Sequence, residues 1–171
     1  MTIDRRSLLR LAGASALATA AVALLRPMSM HDAHAAEAFE ITKTEAEWKA
    51  LLTPQAFAVL RKQDTEYPGT SALLNEHRKG TFACAGCDLA LYDSSTKFES
   101  GTGWPSFFDH LPNVVSTSKD SLLGYTRDEV HCSRCGGHLG HVFNDGPKPT
   151  GLRYCMNGVA LQFHPADKTG A

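Results

Sequence analysis

A mainly β domain entered through two short helices is the fold class that this sequence predicts, and three observations carry it. Helical periodicity is confined to the stretch from Glu40 to Gln63. Beyond Gly80 the chain breaks into short β-rich runs separated by Gly, Pro, Asn, Asp and Ser. No run between those strands is long enough for a crossover helix, which argues for antiparallel pairing and against a parallel, thioredoxin-like sheet.

Taken in order, the first element is a leader. In "DRRSLLRLAGASALATAAVALL" Arg5 and Arg6 precede an Ala/Leu-rich run that resembles a twin-arginine export signal. The 15 uncharged residues between Arg10 and Arg26 fall short of the roughly 18–20 that a spanning helix needs. "AHA" from Ala33 to Ala35 offers small residues at both positions that a signal peptidase reads, so cleavage is expected after Ala35. The alternative is an uncleaved anchoring helix. Residues 1–35 are therefore expected to be a signal peptide and residues 36–171 the working domain, located in the periplasm with no stable membrane association. Removing the leader takes away four Arg and two Asp, so the formal net charge moves from -1 to -3.

The helical stretch divides in two. Thr44 and Glu47 form a possible capping box, and Thr53-Pro54 reads as an N-cap followed by proline at the first helical position. "DTEYPGTSALLNEHRKG" then reads as a loop with at most one helical turn, ending at Gly80. The strand candidates follow as "TFACA", "LALYDS", "KFESG", "NVVSTS", "EVHCS", "HLGHVF" and "VALQFH".

A chain of 171 residues, 43% hydrophobic and 20% charged, has room for one domain with an ordinary core. A near-neutral balance lacks the basic face of a nucleic-acid binder, so no nucleic-acid partner is expected. A monomer is expected.

Four of the five cysteines come as two pairs, Cys84 with Cys87 and Cys132 with Cys135. A CxxC turn brings two thiolates to one metal, and a second turn completes a tetrahedron. The 44 residues between the pairs exceed a compact zinc ribbon, so each pair is expected on its own turn, with one structural Zn²⁺ tying two hairpins together. Two disulfides or a redox-active CxxC are the alternatives; small strained rings count against the former.

Cys155 is left over, with Arg153 two residues before it and Asn157 two after, all on one face of a strand. A guanidinium beside a thiol favours the thiolate, the nucleophilic form. Next to it in sequence stands "HLGHVFND", where His138, His141 and Asp145 are suited to delivering a proton. In "ESGTGWPSF", glycines keep the backbone accessible around Trp104, whose face suits a small apolar substituent such as an S-methyl group. An inert core cysteine in a zinc-stapled binding module is the bland alternative.

Together, "KFESGTGWPSF", "HLGHVFNDGPKPTGLRYCMN", the two CxxC pairs and "TEYPGTSALL" resemble the B-type peptide methionine sulfoxide reductases over nearly all of the chain after the leader. The resemblance implies two small antiparallel β-sheets with short N-terminal helices. It implies Cys155 as nucleophile, zinc on Cys84, Cys87, Cys132 and Cys135, and a substrate pocket built from Trp104, Phe143, His138, His141, Asp145, Arg153 and Asn157. The implied reaction is thiol-dependent reduction of methionine-R-sulfoxide in peptides or proteins through a sulfenic acid on Cys155. His141, oriented by Asp145 or a neighbour, is the expected acid.

Two departures stand out. Many family members carry a resolving cysteine where this chain has Thr102, so an external donor, thioredoxin-like or a small thiol, must regenerate Cys155. Gly158 stands where the family usually has serine, with a consequence the sequence leaves open.

Overall fold

Residues 39–121 and 124–166 are described by the computed structural model of the chain. The leader expected over residues 1–35 lies outside them. Among the described residues no helix is long and apolar enough to cross a membrane.

Both helices start where local chemistry supplies partners for their first N–H groups. Helix α1 (Glu45–Leu51) opens on a reciprocal capping box: the Glu47 amide donates to Thr44 Oγ1 at 3.3 Å, and the Thr44 amide donates to Glu47 Oε2 at 2.7 Å. Helix α2 (Pro54–Lys62) has Thr53 as N-cap and Pro54 inside its first turn. It stops at Gln63, which turns left-handed (φ 57°), and the Asp64 amide returns to the Ala58 carbonyl at 3.2 Å. Ala56, Phe57, Val59 and Leu60 form its buried face.

Among the described residues nine strands follow: β1 (Gly80–Cys84), β2 (Ala90–Asp93), β3 (Lys97–Phe98), β4 (Ser106–Phe107), β5 (Val115–Asp120), β6 (Arg127–Cys132), β7 (His138–Phe143), β8 (Arg153–Met156) and β9 (Leu161–Pro165). They make two sheets, ordered β2-β1-β9 and β3-β4-β8-β7-β6-β5, and each pairing in them is antiparallel. The fold class is the expected one. Strand ends differ: "NVVSTS" starts pairing at Val115 and runs on to Asp120, "EVHCS" begins two residues earlier at Arg127, and Val159-Ala160 form a 3₁₀ turn before β9. Ser106–Phe107, at two residues, is too short to show a period.

Aromatic side chains fill the core where the sheets meet. Tyr92 stacks on Phe107 at 4.4 Å between centroids, and Phe82 meets Phe107 edge-on at 4.9 Å. All three are fully buried, along with Leu91, Val130, Leu139 and Met156. Each such side chain contributes roughly 1.5–3 kcal/mol of burial. The fully buried Tyr92 hydroxyl donates to Met156 Sδ at 3.0 Å. Strand β8 thus sits in the middle of the larger sheet, anchored through Met156 and Tyr154, and it presents Cys155 on the opposite face.

Candidate active site and metal centre

Register places the unpaired thiol in a polar row. Cys155 faces Ser106 on β4 and His141 on β7; His141 faces Glu129 on β6, and Glu129 faces Ser118 on β5. Directly opposed residues share a face, so five strands contribute neighbouring polar side chains. Close approach of β7 and β8 depends on Gly140, since a Cβ there would stand 2.1 Å from the Cys155 carbonyl oxygen. Any side chain at that position would push β8, and Cys155 with it, away from His141.

Thr65, Trp104, Arg127, Gly140, His141, Phe143, Cys155 and Asn157 line a pocket of about 110 Å³. Five residues named from sequence therefore converge: Cys155, His141, Trp104, Phe143 and Asn157. Arg153 stays beside the Cys155 thiol without lining that pocket, and His138 and Asp145 stand elsewhere, contrary to the expectation that they would wall it. His138 is 3% exposed, donates from Nδ1 to the Glu129 carboxylate at 2.8 Å, and borders a separate cavity beside Gln63 and Gly136. Asp145 is turned outward and grips Arg153 with two hydrogen bonds of 2.8 Å. Arg153 in turn lies over the Phe143 ring at 4.4 Å. The Asp145 carboxyl is held below its ordinary range by that guanidinium, and Arg153 is raised chiefly by Asp145.

The group that orients His141 is consequently Asp120, not Asp145. His141 Nε2 lies 2.8 Å from Asp120 Oδ2, and the Arg127 guanidinium donates to the same oxygen. Burial holds the imidazole below its usual pKa; Asp120 pulls the other way, and Arg127 and His138 add to the depression.

A backbone hub fixes the opposite wall. The Trp104 indole N–H donates to the Glu66 carbonyl at 2.8 Å, and the Glu66 amide donates to Asn157 Oδ1 at 2.9 Å. Asn157 Nδ2 donates to the Leu139 carbonyl at 3.1 Å. The Glu66 carboxylate accepts from the Gly158 amide at 2.7 Å, so the early loop ties the tryptophan to the chain just past Cys155.

The same corner explains Gly158. A Cβ on it would stand 1.7 Å from Ser71 Oγ and 2.7 Å from Ser71 Cβ, so the Ser71 side chain occupies the space a residue-158 side chain needs. Gly158→Ala is expected to lower stability by about 1–3 kcal/mol through overpacking. Adding Ser71→Gly should recover most of that loss, as read by urea unfolding of the single and double variants.

Thr102 is near the lone thiol: its Oγ1 lies 3.7 Å from Cys155 Sγ, and Ser100 links it to Ser106 through contacts of 2.8 and 2.7 Å. A threonine hydroxyl there can hydrogen-bond the sulfur but cannot form a disulfide with it.

The other four cysteines meet some way along the sheets. Their sulfurs all lie within 4.8 Å of one another, with Cys84–Cys135 at 3.7 Å and Cys87–Cys132 at 3.5 Å. All are free thiols, so neither pair is a disulfide. Tetrahedral coordination at a metal–sulfur distance of about 2.3 Å requires sulfurs about 3.8 Å apart, which these separations match. The two turns are built alike. Asp88 and Gly136, each following its second cysteine, take positive φ (59° and 67°), and their amides return to the Cys84 and Cys132 carbonyls at 2.8 and 2.9 Å. Arg61 on α2 braces the second turn by donating to the Cys135 carbonyl at 2.9 Å.

Comparison with known proteins adds the lineage. The family model described as the SelR domain matches residues 52–165, a span that holds the polar row, the pocket and both CxxC turns. The chain belongs to the SelR domain family. Curated relatives match this chain at about half identity. One from Leptospira interrogans is 52% identical over 126 residues, covering 73% of this chain and 96% of the relative. One from Leifsonia xyli is 51% identical over 132 residues, 76% of this chain and 95% of the relative, and one from Methanosarcina mazei is 50% identical over 132 residues, 77% and 94%. Each bears the name peptide methionine sulfoxide reductase MsrB. Within the SelR domain, Thr65, Glu66, Asp120, Arg127 and Glu129 are site residues that sequence reasoning missed.

Proposed function

We propose that this SelR-domain protein is a peptide methionine sulfoxide reductase that acts on the R epimer, with Cys155 as nucleophile and an external thiol as reductant. The observation that carries the reading is a half-buried cysteine opening, beside an imidazole and two aromatic faces, into a pocket sized for a small substituent.

The chemistry follows from those groups. Cys155 attacks the sulfoxide sulfur while His141 protonates the oxygen, which is a poor leaving group as an oxide. The S–O bond breaks, the oxygen passes to Cys155 as a sulfenic acid, and methionine leaves. Trp104 and Phe143 hold the methyl end of the substrate. Two external thiols then return Cys155 to its reduced form, releasing a disulfide and water. Cys84, Cys87, Cys132 and Cys135 would hold a zinc ion through four sulfurs, and such an ion would supply structural cross-linking, leaving the chemistry to Cys155 and His141. The leader supports export by the twin-arginine route, with oxidised periplasmic proteins as substrates.

Chiral separation of mixed R and S sulfoxide peptides after incubation with dithiothreitol tests the assignment. The R epimer is expected to disappear and the S epimer to persist; loss of S alone, or of neither, refutes it. After one turnover without reductant, trapping with a sulfenate-specific dione should label Cys155, with no internal disulfide detected by mass spectrometry.

A further inference from the structure

His141 reaches Asp120 through one ring nitrogen, and that choice decides what the other can do. Asp120 lies on β5 and Cys155 on β8, on opposite sides of β7 in the sheet order. Nε2 is committed to Asp120 at 2.8 Å, whose Oδ2 also accepts from Arg127. The lone-pair directions of the two imidazole nitrogens diverge by well over a right angle, so Nδ1 is left for the Cys155 side. Nδ1 is also the ring nitrogen nearest the backbone, at the height reached by a short Cβ–Sγ side chain on a directly opposed residue.

We propose that Asp120, itself braced by Arg127, is a positioning residue that keeps neutral His141 as the Nε2–H tautomer, so that Nδ1 is the atom that carries the proton to the sulfoxide oxygen. A carboxylate accepting from Nε2–H fixes the ring and supports the imidazolium that must form before each turnover. The charged or titratable groups facing His141 are Asp120 on β5, Arg127 and Glu129 on β6, His138 on β7, and Cys155 and Arg153 on β8. Asp120 raises the imidazole's proton affinity and Arg127 lowers it. Removing the Asp120 charge therefore moves His141 titration to still lower pH, and the protonated form becomes scarcer at neutrality.

The proposal rests on the reductase reading for its proton destination, and the test separates the two. ¹⁵N–¹H correlation spectra of the intact wild-type domain report the tautomer without any turnover. Above the titration, His141 should show a protonated Nε2 and a bare Nδ1; a proton on Nδ1 overturns the proposal whatever the activity. Asp120→Asn should lower kcat for methionine sulfoxide roughly 10- to 100-fold with KM little changed, and its His141 midpoint should fall below that of wild type. Asp120→Glu should restore part of the rate. A folded Asp120→Asn protein with wild-type kcat and an unmoved His141 midpoint overturns the proposal, whereas a wild type that reduces no sulfoxide refutes the reductase reading alone.

Discussion

Replacing Cys155 by alanine or serine is expected to abolish methionine sulfoxide reduction, by on the order of 10³-fold or more, while metal content and fold persist. The separation of the two sulfur populations makes the prediction sharp. Cys84, Cys87, Cys132 and Cys135 crowd within 4.8 Å of one another, and Cys155 is outside that group, next to Thr102 and opposite His141. Only the lone thiol opens into the aromatic-walled pocket. A serine oxygen there keeps the shape but is a far weaker nucleophile towards sulfur. Alkylation of the native, metal-loaded protein should accordingly modify one cysteine, and peptide mapping should find it at Cys155. Turnover that survives in Cys155→Ser would mean that a cysteine of the metal cluster attacks the substrate, and the mechanism above would fall.

What was legible in the sequence was what short-range spacing encodes. Thr44 with Glu47 and Thr53 with Pro54 were readable as helix starts because a cap is satisfied within one turn of chain. The CxxC turns were readable for the same reason, down to their joint use of four sulfurs. Arg153 stands on the Cys155 strand face as its spacing predicts, but Asp145, one of the groups expected to orient the imidazole, pairs with Arg153, because adjacency in "HLGHVFND" does not reveal that β7 has ended at Phe143 before Asp145 is reached.

Asp120 and Arg127 are hidden from sequence reading by one cause. Asp120 and Arg127 lie just past the expected ends of their strands, since "NVVSTS" stops at Ser118 and "EVHCS" begins at Glu129. Strand ends are set by pairing with neighbours, not by the strand's own composition, and the alternation that would mark Arg127 and Glu129 as one inward-facing pair appears only when both belong to β6. Glu66 was invisible for another reason. Its decisive groups toward Trp104 and Asn157 are backbone atoms, which carry no residue-type signal, and its partners lie 38 and 91 positions away.

Loss of the metal is expected to unfold the domain, not merely weaken it. Cys84 ends β1 of the three-stranded sheet and Cys132 ends β6 of the six-stranded one, so an ion held by both turns clamps one sheet to the other. Structural zinc on four thiolates is worth about 10–16 kcal/mol at neutral pH. That matches or exceeds the roughly 5–15 kcal/mol of net stability available to a domain of this size. The aromatic core alone would then have to hold two sheets whose junction carries several mutually repelling thiolates or unpaired buried thiols. Cys84→Ser, and a strong chelator acting on wild type under reducing conditions, should each erase the near-ultraviolet circular dichroism signal and the cooperative thermal transition. Elemental analysis is expected to find about one zinc per wild-type chain, the metal that a closed four-sulfur site favours. A chelated protein that stays metal-free and still melts cooperatively at the wild-type temperature would show that the four sulfurs need no ion to keep the sheets together.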